Sequence, residues 1–94
     1  MSTESFTRAV TVTNPHGLHA RPSLIIVKTV QRYDAQVKIH RNGQSVDAAS
    51  ILDLLSLGAT QGTELLLSAN GRQAEEVIEA LARLFDAEFE VDYA

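Results

Sequence analysis

The sequence contains no cysteine, which excludes disulfide bonds, thiolate metal sites and thiol catalysis. It also lacks any apolar run near the roughly 18 residues that a membrane-spanning helix requires. Residues 1–8 lack the apolar stretch of a signal peptide, so we expect a cytoplasmic protein without membrane insertion. Positive charge is not in excess, because eight basic and twelve acidic residues give a net charge of −4. That balance argues against nucleic acid as a partner.

The length of 94 residues and the 45% hydrophobic content fit one domain with a modest core. We expect a single domain over residues 1–94, with its core at about residues 5–88 and a short acidic C-terminal tail. Charge is distributed unevenly, since residues 1–46 carry a net +4 and residues 47–94 a net −8. Such polarity either orients an encounter with a charged partner or reflects two ordinary solvated surfaces.

Two periodicities in the sequence predict the element order β-α-β-β-α-β-α. Alternating residues predict strands at residues 6–13, 35–40 and 45–48, and the apolar run at residues 64–69 predicts a fourth strand, hydrophobic enough to be central in the sheet. Helical spacing predicts helices at residues 20–32 and from 74 onward, and a capping-box pattern that opens at Ser50 and a stop at Gly58 predict a short helix at residues 51–57. The dipeptide Asn42-Gly43 indicates a tight hairpin between the second and third strands. Since alternating strands bury one face only, we expect an α+β fold of two layers, with helices on one side of a four-stranded antiparallel sheet.

The same patterns predict which side chains form the core. In the first strand, Val10 and Val12 are expected to point inward. The first helix offers an apolar stripe of Leu24, Ile25, Val27 and Val30, and the last helix one of Ala74, Val77, Ile78, Leu81, Ala82 and Phe85. These two stripes are expected to pack on the sheet.

The segment with the most chemical content is residues 17–22, GLHARP, where the first predicted helix begins. A helix N-terminus presents unpaired backbone N–H groups and the positive end of the helix dipole, which together bind anions such as phosphate. His19 would place a nitrogen nucleophile beside these groups, and Arg21 would add a forked cation that matches phosphate oxygens. Pro22 fits the first turn, where a missing N–H costs nothing. The pattern fits a histidine that accepts a phosphoryl group; a surface pair of His and Arg without function is the competing interpretation.

The other histidines offer less chemistry. His16 stands three residues before His19 and could contribute to a metal pair, but no third ligand stands at a clear spacing. We therefore expect neither a metal nor another cofactor. His40, at the end of the second predicted strand, is expected to be a solvated side chain.

Residues 17–22 resemble the active-site signature of the HPr family, the histidine-containing phosphocarriers of the bacterial sugar phosphotransferase system. Residues 49–58, ASILDLLSLG, resemble the second hallmark of that family, at the family's distance from the histidine. The resemblance extends over about residues 5–88 and includes the turn at residues 60–62. It implies an open-faced β-sandwich with strand order 1-4-2-3 and three helices on one face.

The resemblance implies a carrier that is itself phosphorylated, with catalysis supplied mainly by its partners. His19 would be phosphorylated on Nδ1 by enzyme I, which draws the group from phosphoenolpyruvate, and would pass it to a IIA domain of a sugar permease or of a regulatory branch. Arg21 would steady the phosphate and contact partners. The implied partner surface consists of Ala20, Leu24, Lys28, Ile51, Leu52 and Leu55. A monomer is expected.

Ser50 has two compatible interpretations. Its place before residues 51–53 predicts an N-cap in a capping box, with Asp53 where Glu or Gln is usual, and such a cap contributes about 1 kcal/mol. The resemblance implies in addition a regulatory serine that HPr kinase/phosphorylase modifies. A phosphate there would add roughly −1.5 to −2 charges beside the apolar patch of Ile51, Leu52 and Leu55, and would oppose docking.

Departures from the family pattern concern partner choice. Ala49 stands where many members have lysine and Asp53 where some have a basic residue, so the docking face is less positive, with Lys28 and Arg32 as its added cations. Residues 84–92 are slightly reminiscent of the nitrogen-related branch. An alternative function is therefore a regulatory module of that branch, which acts through phosphorylation-dependent partner binding. A small metal-binding or nucleic-acid-binding domain is disfavoured by the net charge of −4 and the isolated histidines.

Overall fold

Four strands and three helices follow one another in the predicted order in the computed structural model, which describes residues 5–91. The strands are β1 (Ser5–Thr11), β2 (Gln36–Arg41), β3 (Gln44–Asp47) and β4 (Glu64–Asn70), and the helices are α1 (Ala20–Val30), α2 (Ile51–Ser56) and α3 (Ala74–Asp86). Within the described range, no helix combines the length and the apolar content needed to cross a membrane.

The strands form one antiparallel sheet in the order β1-β4-β2-β3. The central strand β4 pairs with β1, from Ser5 opposite Asn70 to Thr11 opposite Glu64, and with β2 on its other side. Alternate residues of β4 are buried because they face the helices, while no helix among the described residues covers the other face of the sheet. The two-layer α+β fold and its strand order are thereby confirmed.

The core lies between the sheet and the three helices. All six residues predicted for the inner face of α3 are buried. In α1 the buried stripe contains Ile26, whereas Leu24 is 42% exposed, so the prediction that Leu24 joins the core is wrong. Leu24 and Ile26 are two positions apart, about 200° around the helix axis, which places Leu24 on the opposite face. Val12 is buried as predicted, and Val10 packs partly buried against the core.

The hairpin between β2 and β3 turns at Asn42 and Gly43, which have φ values of 47° and 81°. Positive φ at both central positions is what a two-residue turn of this kind requires, so the hairpin prediction is confirmed. The prediction for His40 is wrong, because its ring is half-buried and its Nε2 lies 2.8 Å from the Ser68 hydroxyl on β4. That pairing joins distant parts of the chain, so no local pattern could reveal it.

The chain remains packed after α3 ends. Phe89 is 1% exposed, its ring meets that of Phe85 edge to face at 4.9 Å, and Val91 packs against the core. The packed part of the chain therefore reaches past residue 88, where the sequence placed the end of the core. Residues 92–94, the end of the predicted acidic tail, lie outside the described residues.

Candidate functional site at the start of the first helix

The first turn of α1 has no side-chain cap. His19 occupies the N-cap with an extended backbone (φ −78°, ψ −166°), and its side chain makes no capping hydrogen bond. The first turn contains no acidic residue, and Pro22, its third residue, has no N–H to satisfy. The N–H groups of Ala20 and Arg21 have no acceptor within the helix, as at any helix start. The exposed imidazole therefore stands beside backbone donors that an anion can use.

The loop before His19 is fixed by close packing against the loop after α2. Gly17 has a φ of 68°, and a Cβ at this residue would overlap the carbonyl oxygen of Ala59. The N–H of Leu18 donates to that same carbonyl at 2.9 Å, and the Asn14 amide donates to the Gly17 carbonyl at 2.6 Å. This packing holds the backbone that leads into His19, so the imidazole is presented from a rigid base.

Asn14 is a site residue that the sequence reasoning missed. Its side chain is buried beside the cavity at His19, and its Oδ1 has no hydrogen-bond partner among the described residues. In the sequence, Asn14 only marks a break in the strand pattern before Pro15. Nothing in that local pattern distinguishes a structural amide from an ordinary turn residue.

Arg21 is directed to the C-terminal segment. Its guanidinium donates one hydrogen bond to the Phe89 carbonyl and another to the Val91 carbonyl, each at 2.9 Å. The cavity at His19 has a volume of about 160 Å³ and is lined by residues of two segments, the start of α1 with its preceding loop and the chain after α3. These residues are Asn14, Pro15, His16, His19, Arg21, Pro22, Glu88 and Glu90. The sequence reasoning did not anticipate that Glu88 and Glu90 would line this cavity.

His16 approaches His19, with ring centroids 5.8 Å apart and the rings nearly perpendicular. Such an edge-to-face contact positions one ring against the other. Among the described residues, no group of three or more His, Cys, Asp or Glu side chains could hold a metal ion. His16 therefore lies in the site as a ring that packs against His19.

The residues implied as a partner surface lie on α1 and α2, which pack against each other. On α1, Ala20, Leu24 and Lys28 are exposed at a spacing of four residues, which places them on one face. On α2, Leu52 is 79% exposed, Leu55 is 40% exposed and Ile51 is half-buried. Large apolar side chains at this exposure are consistent with a contact surface on these helices.

Ser50 caps α2 as predicted, because its Oγ accepts the Asp53 N–H at 3.2 Å. The reciprocal half of the capping box is replaced, since the Asp53 carboxylate accepts the Asp47 N–H and the Ser50 N–H donates to the Asp47 carbonyl. The start of α1 is bonded to Ala59, which follows the C-terminal end of α2. Ser50 and His19 therefore lie toward opposite ends of α2, which its six residues separate by about 9 Å.

A two-layer domain that presents an exposed histidine from an uncapped helix N-terminus has the architecture of a small phosphoryl carrier. The family model described as the PTS HPr component phosphorylation site matches residues 6–87. The phosphocarrier protein HPr of Vibrio cholerae serotype O1 is 38% identical over 81 residues, which cover 86% of this chain and 95% of that protein. The chain thus belongs to the HPr family and is a phosphocarrier of the phosphotransferase system.

Two further proteins similar to this chain are a solved structure and a relative with a different name. A crystal structure of HPr-C-His from Thermoanaerobacter tengcongensis has a TM-score of 0.88 and 34% identity, and the match covers 94% of this chain and 99% of that one. The phosphocarrier protein NPr of Klebsiella oxytoca is 35% identical over 86 residues, 90% of this chain and 96% of that protein. The chain is thus similar both to proteins named HPr and to one named NPr.

Proposed function

We propose that His19 is the residue that carries the phosphoryl group, on Nδ1 as the family resemblance implies. The observation that carries this proposal is the exposed imidazole at the N-cap of α1, beside first-turn N–H groups to which its own side chain makes no capping hydrogen bond. The unprotonated ring nitrogen supplies an electron pair to phosphorus, and the bond between phosphorus and the donor breaks, its electron pair leaving with the donor. The backbone N–H groups and the helix dipole then stabilise the added negative charge.

Arg21 acts in this proposal as the cation that steadies the phosphoryl group. A guanidinium has five N–H donors, of which two are engaged by the carbonyls of Phe89 and Val91. Arg21 is the first-turn residue next but one to His19 and lines the same cavity, so a guanidinium that turns away from the two carbonyls can meet a phosphoryl group on the imidazole. The match between the guanidinium fork and phosphate oxygens supports the assignment.

We propose enzyme I as the donor and IIA domains of sugar permeases or of regulatory branches as acceptors. These partners would dock on the surface formed by Ala20, Leu24, Lys28, Ile51, Leu52 and Leu55. The exposure of Leu24, Leu52 and Leu55 beside the start of α1 supports this surface. The chain would act as a single-domain monomer in the cytoplasm, with no catalysis of its own and no cofactor.

Ser50 is proposed as a regulatory site for HPr kinase/phosphorylase. Its hydroxyl is half-buried and bonded to the Asp53 N–H, so modification has to break the cap that it forms. A phosphate there could take over the capping role, since helix N-termini accept anions. Its effect on transfer would then come through the neighbouring apolar residues Leu52 and Leu55, because His19 lies toward the other end of α2.

A regulatory module of the nitrogen-related branch is a second candidate function. The similarity to the NPr of Klebsiella oxytoca over 90% of the chain favours it. The docking face carries Asp53 in the first turn of α2 and few added cations, which would select partners by charge. The two candidates share the chemistry of His19 and differ in the acceptor, so transfer from the phosphorylated protein to sugar-permease IIA domains distinguishes them.

The test of the main proposal is incubation with phosphoenolpyruvate and catalytic enzyme I of the same host, followed by intact-mass measurement. The wild type and His16→Ala should each gain ~80 Da in an acid-labile form, and His19→Ala should gain nothing. His16→Ala is the matched control because it removes the neighbouring imidazole of the same cavity. Acid-labile phosphorylation of His19→Ala, or none of the wild type, would contradict the proposal.

A further inference from the structure

Residues 87–91, which we term the C-terminal clasp, are fixed to the body of the protein. Glu88 and Phe89 have φ values of 55° and 59°, so the chain turns back as α3 ends. The Phe89 N–H donates to the Leu84 carbonyl at 2.9 Å, and the buried Phe89 ring packs edge to face against Phe85. The clasp is therefore a positioned element. Most of it follows residue 87, where the match to the family model ends.

The clasp holds the guanidinium that the phosphoryl group needs. Arg21 donates to the carbonyls of Phe89 and Val91, two residues apart in the clasp, at 2.9 Å each. The Phe89 carbonyl is a fixed acceptor, because the ring of that residue is buried in the core. If the Arg21 guanidinium turns toward a phosphoryl group on His19, it loses its hydrogen bonds to the Phe89 and Val91 carbonyls. The loss of these bonds offsets part of the stabilisation that Arg21 gives the phosphoryl group.

The clasp also brings negative charge to the cavity at His19. The exposed residues Glu88 and Glu90 line that cavity together with His19 and Arg21. A phosphoryl group adds about two negative charges at neutral pH, and like charges repel across a shared cavity even when solvent weakens the interaction. Both features of the clasp therefore act against the phosphorylated state.

We propose that the C-terminal clasp raises the free energy of the phosphorylated state, so that His19 gives up its phosphoryl group more readily to an acceptor. Glu88 and Glu90 act by repulsion, and Phe89 is a positioning residue that fixes the carbonyl which competes for Arg21. The inference rests on the proposed role of His19 and deepens it, since it assigns to the clasp the tuning of phosphoryl-transfer potential.

An equilibrium measurement tests the charge part. The wild type, E88Q/E90Q and the control E75Q/E76Q are each incubated with catalytic enzyme I in a mixture of phosphoenolpyruvate and excess pyruvate that leaves the wild type half phosphorylated. Enzyme I speeds both directions equally, so effects on docking cancel. The control removes two exposed carboxylates at the other end of α3, about 18 Å away along the helix axis. Intact mass gives the ratio of phosphorylated to free protein.

We expect this ratio to rise about threefold in E88Q/E90Q, the size that exposed charges allow, and to stay at the wild-type value in E75Q/E76Q. Equal ratios in all three proteins, or an equal rise in both variants, would overturn the charge part. If the wild type is not phosphorylated at all, the proposed function fails first and the inference falls with it.

The hydrogen-bond part has its own readout in amide NMR spectra of ¹⁵N-labelled wild type before and after phosphorylation. Release of Arg21 from its two carbonyls should shift the Glu90 N–H, which follows the Phe89 carbonyl in the same peptide group, along with the N–H groups of Ala20 and Arg21. The N–H of Gly43, in the distant hairpin, serves as the reference. A shift at Ala20 and Arg21 with none at Glu90 would show that the clasp keeps Arg21, and would overturn this part.

Discussion

The starts of α1 and α2 solve the same structural problem in different ways. Both helices begin after a residue with an extended backbone, His19 for α1 and Ser50 for α2. Ser50 accepts the Asp53 N–H through its hydroxyl, and Asp53 adds a carboxylate to the first turn. His19 makes no such bond, and its helix has no acidic residue there. The start of α2 thus has a hydrogen-bond acceptor for a first-turn N–H within its own sequence, whereas the first-turn N–H groups of α1 remain available to an anion.

The length and packing of the two helices explain why α2 needs a side-chain cap and α1 does not. α2 has six residues and only Leu54 fully buried, so its ends need their own partners. Besides Ser50, the Arg41 guanidinium donates to the carbonyls of Leu57 and Gly58 at the other end. α1 has eleven residues and buries seven of them, so packing can compensate for a missing cap of about 1 kcal/mol. A helix anchored by packing can keep its first turn open for an anion.

The largest expected effect comes from making the start of α1 like that of α2. His19→Ser should abolish acid-labile phosphorylation by enzyme I, because no imidazole nitrogen remains to accept phosphorus. The same substitution should raise the free energy of unfolding by about 0.5 kcal/mol, since a serine hydroxyl can accept the Arg21 N–H, although Pro22 offers no N–H at the position that Asp53 has in α2. Intact mass and urea denaturation measure the two quantities on one protein.

His16→Ser provides the control, because it makes the same chemical change at an exposed neighbour outside the helix. It should leave phosphorylation intact and gain no stability. If His19→Ser were less stable than the wild type, the imidazole would be contributing to the fold, and the comparison of the two helix starts would fail.

The next effect concerns the contact between Gly17, in the loop before α1, and Ala59, in the loop after α2. Gly17→Ala should lower the free energy of unfolding by about 2–4 kcal/mol, because φ is 68° and the new Cβ would overlap the Ala59 carbonyl. Gly43→Ala is the matched control, with a φ of 81° and nothing within 4 Å of an added Cβ, and should cost about 1 kcal/mol. Equal losses in urea denaturation would mean that the contact with Ala59 carries no weight.

The fold was predictable because its signals are local. The apolar run of β4, the Asn42-Gly43 turn and the apolar face of α3 each specify an element within a few residues, and all three predictions are confirmed. The place of Leu24 was not predictable in the same way. An apolar residue next to a core stripe can face inward or outward, and only the packing of α1 decides which.

The candidate site also contains residues that local sequence patterns predict and residues that they do not. The sequence placed His19 at the helix N-cap, because Gly17 and Pro22 bracket the helix start, and this is confirmed. It could not place Phe89 or Val91 against Arg21, since 68 and 70 residues separate these partners along the chain. Contacts of that range depend on how α3 lies on the sheet, which no local pattern encodes.

A third prediction adds charge at the start of α2 while keeping its cap. Ser50→Asp should slow phosphoryl transfer from enzyme I by about three- to tenfold, because aspartate caps as well as serine but sets a charge beside Leu52 and Leu55. Rapid-quench initial rates measure it. Ser45→Asp, on the exposed face of β3 away from the helices, should transfer at the wild-type rate. Unchanged transfer by Ser50→Asp would remove α2 from the docking surface.

The smallest effect removes the cap of α2 without adding charge. Ser50→Ala should lower the free energy of unfolding by about 1 kcal/mol, because the Asp53 N–H loses its acceptor. Phosphorylation at His19 should keep its wild-type rate, since Ser50 lies at the start of α2, away from the loop that leads into His19, and its hydroxyl accepts the Asp53 N–H. Urea denaturation and the initial rate of the acid-labile mass gain test the two halves together. A slower rate at unchanged stability would reverse the assignment, because Ser50 would then act on the transfer directly and α2 would not depend on its cap.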